Sequence, residues 1–169
     1  MSIPVLIRQM GDNDIAIIHG GLLSHDVSKP LDYIESCWKE NLAGQRMTLL
    51  AFRGHEFAGW GHVVFQPQYS YFADNQIPEI QNFDIIPPFR HRGIGSVLAE
   101  ALEEAAFARS RTIGIGFGLY ASYGTAQRMY IRRGFIPDGR GLMYDNIPAE
   151  PGSQVRVDDE LTLYLTKSR

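Results

Sequence analysis

The chain has 169 residues, of which 44% are hydrophobic and 21% charged, and a net charge of −3 at pH 7. These values are ordinary for a globular protein and predict a single domain spanning residues 1–169. The small negative charge gives no general reason to bind nucleic acid or a membrane surface, and no apolar run is long enough to cross a bilayer. The first residues lack a secretory signal pattern, so we expect a cytoplasmic protein.

The side chains that usually hold metals are scarce or badly spaced. A single cysteine, Cys37, excludes an intrachain disulfide and a cysteine-based zinc site, and we expect it to pack inside a helix. His19, His25 and Asp26 surround a glycine-rich loop without the helical spacing of metal ligands. The sequence therefore predicts no metal site.

Hydrophobic patterns predict the elements of the first half of the chain. Residues 5–8 read as a strand, and two helices follow, one through Ile15 and Ile18 and one over residues 31–42. The pattern then alternates, which predicts a hairpin of residues 47–52 and 57–65 with its turn at 53–56. Residues 66–76 are polar and rich in aromatic side chains, and we interpret them as a loop.

A glycine-punctuated basic turn follows the next strand. Residues 79–86 alternate as a strand, and Pro87 and Pro88 end it. The turn Arg90-His91-Arg92-Gly93-Ile94-Gly95-Ser96 then enters a helix whose apolar face is Ile94, Val97, Leu98, Ala101, Leu102 and Ala105. The first N–H groups of a helix have no partner within it, and glycines let an anion approach them closely. This pattern predicts a pyrophosphate-binding loop.

The next strand, residues 112–119, carries glycine at every second position. Gly114, Gly116 and Gly118 leave one face bare, either for tight packing against a helix or for a ligand lying on the sheet. Their spacing and position exclude a dinucleotide-binding fingerprint. A short helix runs from about Gly124 to Arg133 with Gly134 as its stop. Late strands follow at 141–144 and 161–165.

This order of elements resembles the GCN5-related N-acetyltransferase (GNAT) family. The core loop of that family reads Arg or Gln, two residues, Gly, one residue, Gly or Ala, as Arg90, Gly93 and Gly95 do here. Its second landmark, an apolar-Tyr pair followed by Gly-Phe, is matched by Met129-Tyr130 and Gly134-Phe135. The resemblance implies an α/β (α+β) fold with a mixed, mostly antiparallel twisted sheet of about seven strands flanked by about four helices. Acetyl-CoA would enter between two splayed parallel strands.

The resemblance also implies which residues bind the coenzyme. Ile85 and Ile86 would bind the pantetheine arm through their backbone, and the pyrophosphate would be held by Arg90, His91, Arg92, Gly93, Ile94, Gly95 and Ser96. We expect the Arg90 side chain to contact the anion, and the His91 side chain taken alone to be solvated. Ser122 and Ala126 are further candidate contacts, although Ser122 could instead cap the short helix. The basic face of Arg128, Arg132 and Arg133 is either solvated or close to the 3′-phosphate.

Two residues are candidates for the chemistry. Acetyl transfer to an amine needs a neutral amine and a proton for the departing thiolate. Tyr130 occupies the position at which many family members place a phenol near the sulfur; the alternative is a core tyrosine. Glu79, eleven residues before Arg90, resembles in spacing the base of histone-acetylating relatives. Burial would raise its pKa into a useful range, and the alternative is a solvated carboxylate at the strand edge.

The leading hypothesis is therefore an N-acetyltransferase that transfers acetyl from acetyl-CoA to a primary amine of a small molecule or peptide in a ternary complex. The alternative is a non-catalytic acyl-CoA-binding sensor on the same fold. Nucleic-acid and membrane partners are not expected, and a homodimer is plausible. The acceptor would contact residues 20–30, 66–76 and 146–159. There, Tyr69, Tyr71 and Phe72 could form an apolar wall and Asp26 or Asp74 could attract a cation, and the alternative is that these residues belong to the loop surface or to a dimer contact.

Overall fold

The computed structural model describes residues 3–169, and this part of the chain forms eight strands and five α-helices. In chain order these are β1 (Val5–Gln9), α1 (Asp14–Leu23), α2 (Leu31–Leu42), β2 (Arg46–Arg53), β3 (Glu56–Val64), α3 (Ser70–Asp74), β4 (Glu79–Ile85), α4 (Ile94–Phe107), β5 (Thr112–Gly118), α5 (Gly124–Arg132), β6 (Ile136–Tyr144), β7 (Ile147–Pro148) and β8 (Leu161–Ser168). The predicted α/β class is confirmed, and the elements that were predicted occur in the expected order.

Three elements differ from the prediction. The short helix α3 lies within the stretch interpreted as a loop, and β7 adds an eighth strand to the sheet. The strand β6 begins at Ile136, five residues before the predicted start. The prediction missed these residues because their sequence does not alternate between apolar and polar side chains. The pairing of β6 with β8 shifts register between Pro137 and Leu142, where Gly139 and Gly141 have φ of +82° and +76°. Such an irregularity hides a strand from a search for alternation.

The strands form one mixed sheet in the order β1-β2-β3-β4-β5-β8-β6-β7. Within residues 3–169, only β4 and β5 pair in parallel, and the other neighbouring strands pair antiparallel. A parallel pair needs a crossover connection, and α4 supplies it here. The predicted mixed, mostly antiparallel sheet is therefore confirmed.

The two parallel strands separate soon after they meet. Their register pairs only Glu79 with Gly114 and Ile80 with Ile115. By contrast, β4 remains paired with β3 as far as Ile85, so the separation frees the edge of β4 that faces β5. The β3–β4 register also shifts near Asn82, whose φ is +47°. The middle of the sheet is open as a result, as the family resemblance implies.

Each face of the sheet buries a helical layer. On one face, α4 packs Ile94, Leu98, Leu102 and Ala106 against the sheet, whereas Val97 from the predicted stripe is 41% exposed. On the other face, α1 and α2 bury Ile18, Leu22, Ile34 and Cys37 against Leu50 and Trp60. Cys37 is thus a packing residue of α2, as predicted. The α1–α2 layer covers β2 and β3, and α4 covers the opposite face.

The glycine face of β5 is filled by the protein's own rings. A methyl group at Gly114 would overlap the Phe72 ring of α3, and one at Gly118 would overlap the Tyr123 ring. Tyr69 and Phe72 are fully buried and pack against Tyr164 of β8. The hypothesis that Tyr69 and Phe72 form a wall for the acceptor is therefore wrong, because their rings belong to the core.

Candidate active site

The predicted anion loop connects β4 to α4 through a short 3-10 turn, Pro87–Phe89. Gly93 lies in the left-handed region with φ +78° and accepts hydrogen bonds from the amides of Ser96 and Val97. The amides of Ile94 and Gly95 precede the first intrahelical donors, so they face outward at the positive end of the helix dipole. The loop therefore presents backbone donors to an anion.

The two glycines of the loop serve different purposes. Gly93 needs its left-handed conformation, which side chains adopt only with strain. Gly95 has an ordinary helical conformation, and an added Cβ would lie 3.6 Å from Phe83 and 3.7 Å from Ile85. A side chain at Gly95 would therefore fold without strain but would fill space beside the loop.

A cavity of about 550 Å³ opens beside this loop, and we call it the loop cavity. Its lining includes Arg90, His91, Gly93, Gly95 and Ser96 of the loop, Phe83 to Ile85 of β4, and Ser122, Thr125, Ala126 and Met129 near α5. Ile94 is instead buried in the core, and Arg92 is exposed and does not line the loop cavity. Most of the predicted coenzyme residues thus lie together.

Backbone groups of Ile85 and Ile86, both predicted to bind the pantetheine arm, already form hydrogen bonds within the protein. The Ile86 amide donates to the Ala58 carbonyl at 3.0 Å, so in this structure it already has a partner within the protein. The Ile85 carbonyl accepts a hydrogen bond from Arg90 Nε at 2.8 Å. Arg90 therefore folds back on the end of β4, and only the rest of its guanidinium faces the loop cavity.

A second cavity, of about 410 Å³, lies where β4 and β5 separate, and we call it the strand cavity. It is lined by residues 79–84 of β4 and 115–118 of β5, together with Lys29, Ser122, Tyr123, Ala126, Tyr130, Asp159 and Thr162. Phe83, Asp84, Ser122 and Ala126 line both cavities. The two cavities therefore meet at the opening of the sheet.

Glu79 is a buried carboxylate in the wall of the strand cavity. Only 5% of the residue is exposed, because β4 is flanked by β3 and β5 at this end. Burial raises the pKa of Glu79 to about 7, and a hydrogen bond from Gln81 and the charge of Arg46 offset only part of that effect. Within residues 3–169, no histidine lines this cavity. Glu79 is thus its one carboxylate whose pKa is raised towards neutrality.

Tyr130 lies near the end of α5 and lines the same cavity. Its ring packs edge-on against Phe135, with ring centroids 6.1 Å apart. Burial raises the pKa of Tyr130 above that of a free phenol, and the charge of Asp84 adds to this effect. Its hydroxyl therefore stays protonated at neutral pH and can act as a hydrogen-bond donor.

Contacts at both ends of α5 fix the position of Tyr130. The Gln127 side chain donates to the Gly118 carbonyl at 2.8 Å, and Gly134 has φ +93° just after the helix.

The basic residues of α5 and its end were candidates for binding the 3′-phosphate. Arg133 pairs with buried Glu103 of α4, which also binds Lys167 of β8. This pairing argues against Arg133 as a 3′-phosphate ligand, and Arg128 and Arg132 are exposed. Ser122 does not cap α5, which has no side-chain cap.

Several charged residues of the strand cavity escaped the sequence analysis. Asp84 forms an ion pair with Lys29, and Asp159 accepts hydrogen bonds from Tyr120 and Tyr123. These hydrogen bonds lower the pKa of Asp159. Asp26 and Asp74, one of which could have attracted a cationic acceptor, do not line the cavity. The acidic run at residues 158–160 was the only local signal for Asp159.

The described residues contain no cluster that could bind a metal. Groups of three or more histidine, cysteine, aspartate or glutamate side chains in suitable positions do not occur in residues 3–169. Nor does any helix in this range have the length and apolar character needed to span a membrane.

Comparisons with known proteins agree with this geometry. The family model described as Acetyltransferase (GNAT) family matches residues 22–135. Solved structures with the same fold include the ribosomal-protein-alanine N-acetyltransferase of Brucella melitensis, at 16% identity and a TM-score of 0.70 over 97% of this chain and 99% of that one.

Two further neighbours are similar in extent. An acetyltransferase from Salmonella typhimurium that modifies the N-terminal serine of ribosomal protein L7/L12 has 14% identity and a TM-score of 0.68, covering 100% of this chain and 99% of that one. A spermidine N-acetyltransferase chimera from Vibrio cholerae has 12% identity and a TM-score of 0.69, covering 97% and 95%. No curated protein sequence matches significantly. Because the family model spans more than half of its length, the chain belongs to the acetyltransferase (GNAT) family.

Proposed function

We propose that this protein is an acetyl-CoA-dependent N-acetyltransferase that acetylates a primary amine by direct attack within a ternary complex. The observation that carries the proposal is the junction of the two cavities at the separated strands, with Glu79 and Tyr130 in the wall of the strand cavity. One cavity offers donors for an anion, and the other offers a base for an amine. Acetyl-CoA supplies the activated acetyl group when bound.

The loop cavity suits the donor. The outward amides of Ile94 and Gly95 would hold the pyrophosphate, and the free guanidinium nitrogens of Arg90 would add charge-assisted hydrogen bonds. The open edge of β4 after Ile80 leaves backbone groups for the pantetheine arm, among them the Ile85 amide. Ser122 and Ala126 line both cavities, so they would contact the arm near its thioester end.

Glu79 is the proposed general base. An amine with a pKa near 10 enters mostly as an ammonium, and it must lose a proton before it can attack. A carboxylate with a pKa of about 7 is half ionised at neutral pH and holds a proton more firmly than an ordinary glutamate. It could remove the proton directly or through a water in the strand cavity.

Tyr130 is the proposed donor to the leaving sulfur. Because its pKa is raised, the phenol is a weaker acid than free tyrosine, and complete proton transfer to a thiolate would run uphill. Donation of a hydrogen bond to the developing thiolate stabilises charge without that cost. We therefore assign Tyr130 the role of hydrogen-bond donor, with the proton supplied finally by solvent or by Glu79.

The charges of the strand cavity favour a cationic acceptor. Among residues 3–169, it is lined by three carboxylates, Glu79, Asp84 and Asp159, and by one cation, Lys29. An entering ammonium would be attracted by this imbalance, whereas an acidic acceptor would be repelled. The printed names of the structural neighbours, which specify spermidine and amino groups of ribosomal proteins, describe amine acceptors of different size.

A thiol-release assay against a panel of amines tests the proposal. The panel should contain alkylamines, diamines, amino acids and short peptides, each with acetyl-CoA. Glu79→Gln and Tyr130→Phe should slow release, whereas Glu100→Gln, which removes an exposed carboxylate of α4, should not. Tight binding of CoA with no thiol release for any amine would instead support the sensor.

A further inference from the structure

Lys29 lies among the residues proposed to carry out the reaction. It belongs to the connection between α1 and α2, and its side chain is 26% exposed. It lines the strand cavity together with Glu79 and Tyr130, and its Nζ is 3.6 Å from Asp84 Oδ2. Asp84 in turn lines both cavities. The chain thus places one of its own primary amines next to the junction where an acceptor amine is expected.

The other lysines are placed differently. The chain has three, and they are Lys29, Lys39 and Lys167. Lys39 is exposed on α2 and lines neither cavity. Lys167 forms an ion pair with the buried Glu103 carboxylate of α4 and lines neither cavity. These two residues are therefore internal controls for lysine reactivity that does not depend on the cavity.

We propose that Lys29 is a site of self-acetylation. This inference rests on the proposed function, because the donor is acetyl-CoA. The Lys29 ammonium lies at Asp84, five residues along β4 from Glu79, so it first loses a proton to Glu79 through water in the strand cavity. The Nζ lone pair then forms an N–C bond to the acetyl carbonyl, and the C–S bond breaks with its electron pair going to sulfur. The nitrogen releases its second proton as the amide forms, and the thiolate leaves as the CoA thiol after taking up a proton from solvent or from Glu79. The tether of Lys29 to the cavity gives it a high effective concentration.

Acetylation would change the strand cavity in two ways. The neutral amide could no longer pair with Asp84, so the imbalance of negative charge would increase. The added acetyl group would also occupy space in a cavity of about 410 Å³. A bound ammonium acceptor would compete with Lys29 for Asp84. Self-acetylation is therefore expected to proceed in the absence of acceptor and to be slowed by saturating acceptor.

Peptide mass spectrometry after incubation of the full chain with acetyl-CoA tests this inference. We expect one acetyl group on Lys29, at a rate constant independent of protein concentration, because transfer is intramolecular. Lys29→Arg should remove the label and Lys39→Arg should not. Glu79→Gln should slow labelling on the order of 10²-fold. Acetic anhydride, which needs no active site, reports the intrinsic reactivity of each lysine in the folded protein.

The possible outcomes distinguish a failure of Lys29 self-acetylation from a failure of the proposed N-acetyltransferase activity. Labelling of Lys39 as fast as that of Lys29, or an unchanged rate in Glu79→Gln, would show ordinary chemical acetylation and overturn the inference. Thiol release with external amines but an unmodified Lys29 would overturn the inference alone. If neither Lys29 nor any amine of the panel is acetylated, the proposed function fails as well.

Discussion

Two carboxylates on the same strand differ in environment and therefore in chemistry. Glu79, at the paired end of β4, is buried, and its pKa is raised to about 7. Asp84, at the separated end, is partly exposed and has Lys29 as its ion-pair partner. A base must be able to take up a proton near neutral pH, whereas a docking group must keep its charge. Their positions along β4 suit these two roles.

The activity of the native protein should depend on the ionisation of Glu79. Because the base must be deprotonated, kcat/KM is expected to rise with pH and to level off above the pKa of about 7. Glu79→Gln should lower kcat by about 10²–10⁴-fold and should remove this inflection. Initial rates between pH 5.5 and 9 with one amine will measure both effects. An inflection that persists in the variant would assign it to another group.

The burial of Glu79 should also make the free energy of unfolding depend on pH. The folded pKa of Glu79 is above its unfolded value of 4.5, so between these values the folded state binds more protons and stability falls as pH rises. The penalty is complete above pH 7 and amounts to about 3 kcal/mol. Glu79→Gln should thus gain stability relative to the native chain as pH rises from 4.5 to 7. Urea unfolding at several pH values will measure the difference, and a pH-independent difference would contradict the burial.

Tyr130→Phe removes one hydroxyl and keeps the ring that packs on Phe135. If the phenol donates to the leaving sulfur only as charge develops, kcat should fall on the order of 10²-fold while KM for acetyl-CoA changes little. Steady-state kinetics with varied acetyl-CoA will separate the two constants. A rise in KM with unchanged kcat would instead indicate a role in binding the donor.

At the scale of the elements, the glycines of β5 and Gly95 of the anion loop have different structural roles. The alternation of glycine in β5 left open whether a helix or a ligand covers that face, because the answer depends on residues distant in sequence. Phe72 of α3 and Tyr123 before α5 fill the places of the missing side chains. At Gly95, by contrast, the space beside the residue belongs to the loop cavity.

This difference predicts that one Gly→Ala substitution lowers the stability of the fold and that another lowers the affinity for CoA. Gly114→Ala would overlap the Phe72 ring and should destabilise the fold by about 1–3 kcal/mol. Gly95→Ala meets only ordinary contacts, so stability should stay within about 1 kcal/mol. Its CoA affinity should nevertheless fall roughly tenfold, a loss of about 1.4 kcal/mol. Thermal unfolding and calorimetric CoA titration of both variants will test the pair, and equal losses of stability would contradict it.

Local pattern was sufficient where an element is defined by its own residues. The strand before Pro87, the helix after Gly93 and the helix ended by Gly134 all follow from periodicity and from residues that end helices. Side chains that converge from distant segments were not accessible in this way. Lys29 and Asp159 are 130 residues apart, and only the sheet topology brings both to one cavity. The Arg90 contact with Ile85 likewise depends on how the loop turns back.

At the scale of the whole molecule, the proposed reaction would bring donor and acceptor together where the two cavities meet, and within residues 3–169 we find no suitable nucleophile at that junction. Cys37 is 1% exposed in the core of α2 and lines neither cavity. The Ser122 hydroxyl lines both, but its side-chain neighbour is the Tyr120 phenol rather than a base. An acetylated enzyme intermediate would need an activated nucleophile, and neither residue is one.

Direct transfer should therefore produce intersecting lines in double-reciprocal plots when donor and acceptor are varied together. Parallel lines would indicate an acetylated intermediate released from the first product. Cys37→Ala should retain activity, although the cavity it leaves in α2 will lower stability by about 1 kcal/mol. Because self-acetylation of Lys29 would consume donor without acceptor, Lys29→Arg is the appropriate background for these plots. Intersecting lines in that background would link both cavities to one transfer step, since each substrate would have to be bound before either product leaves.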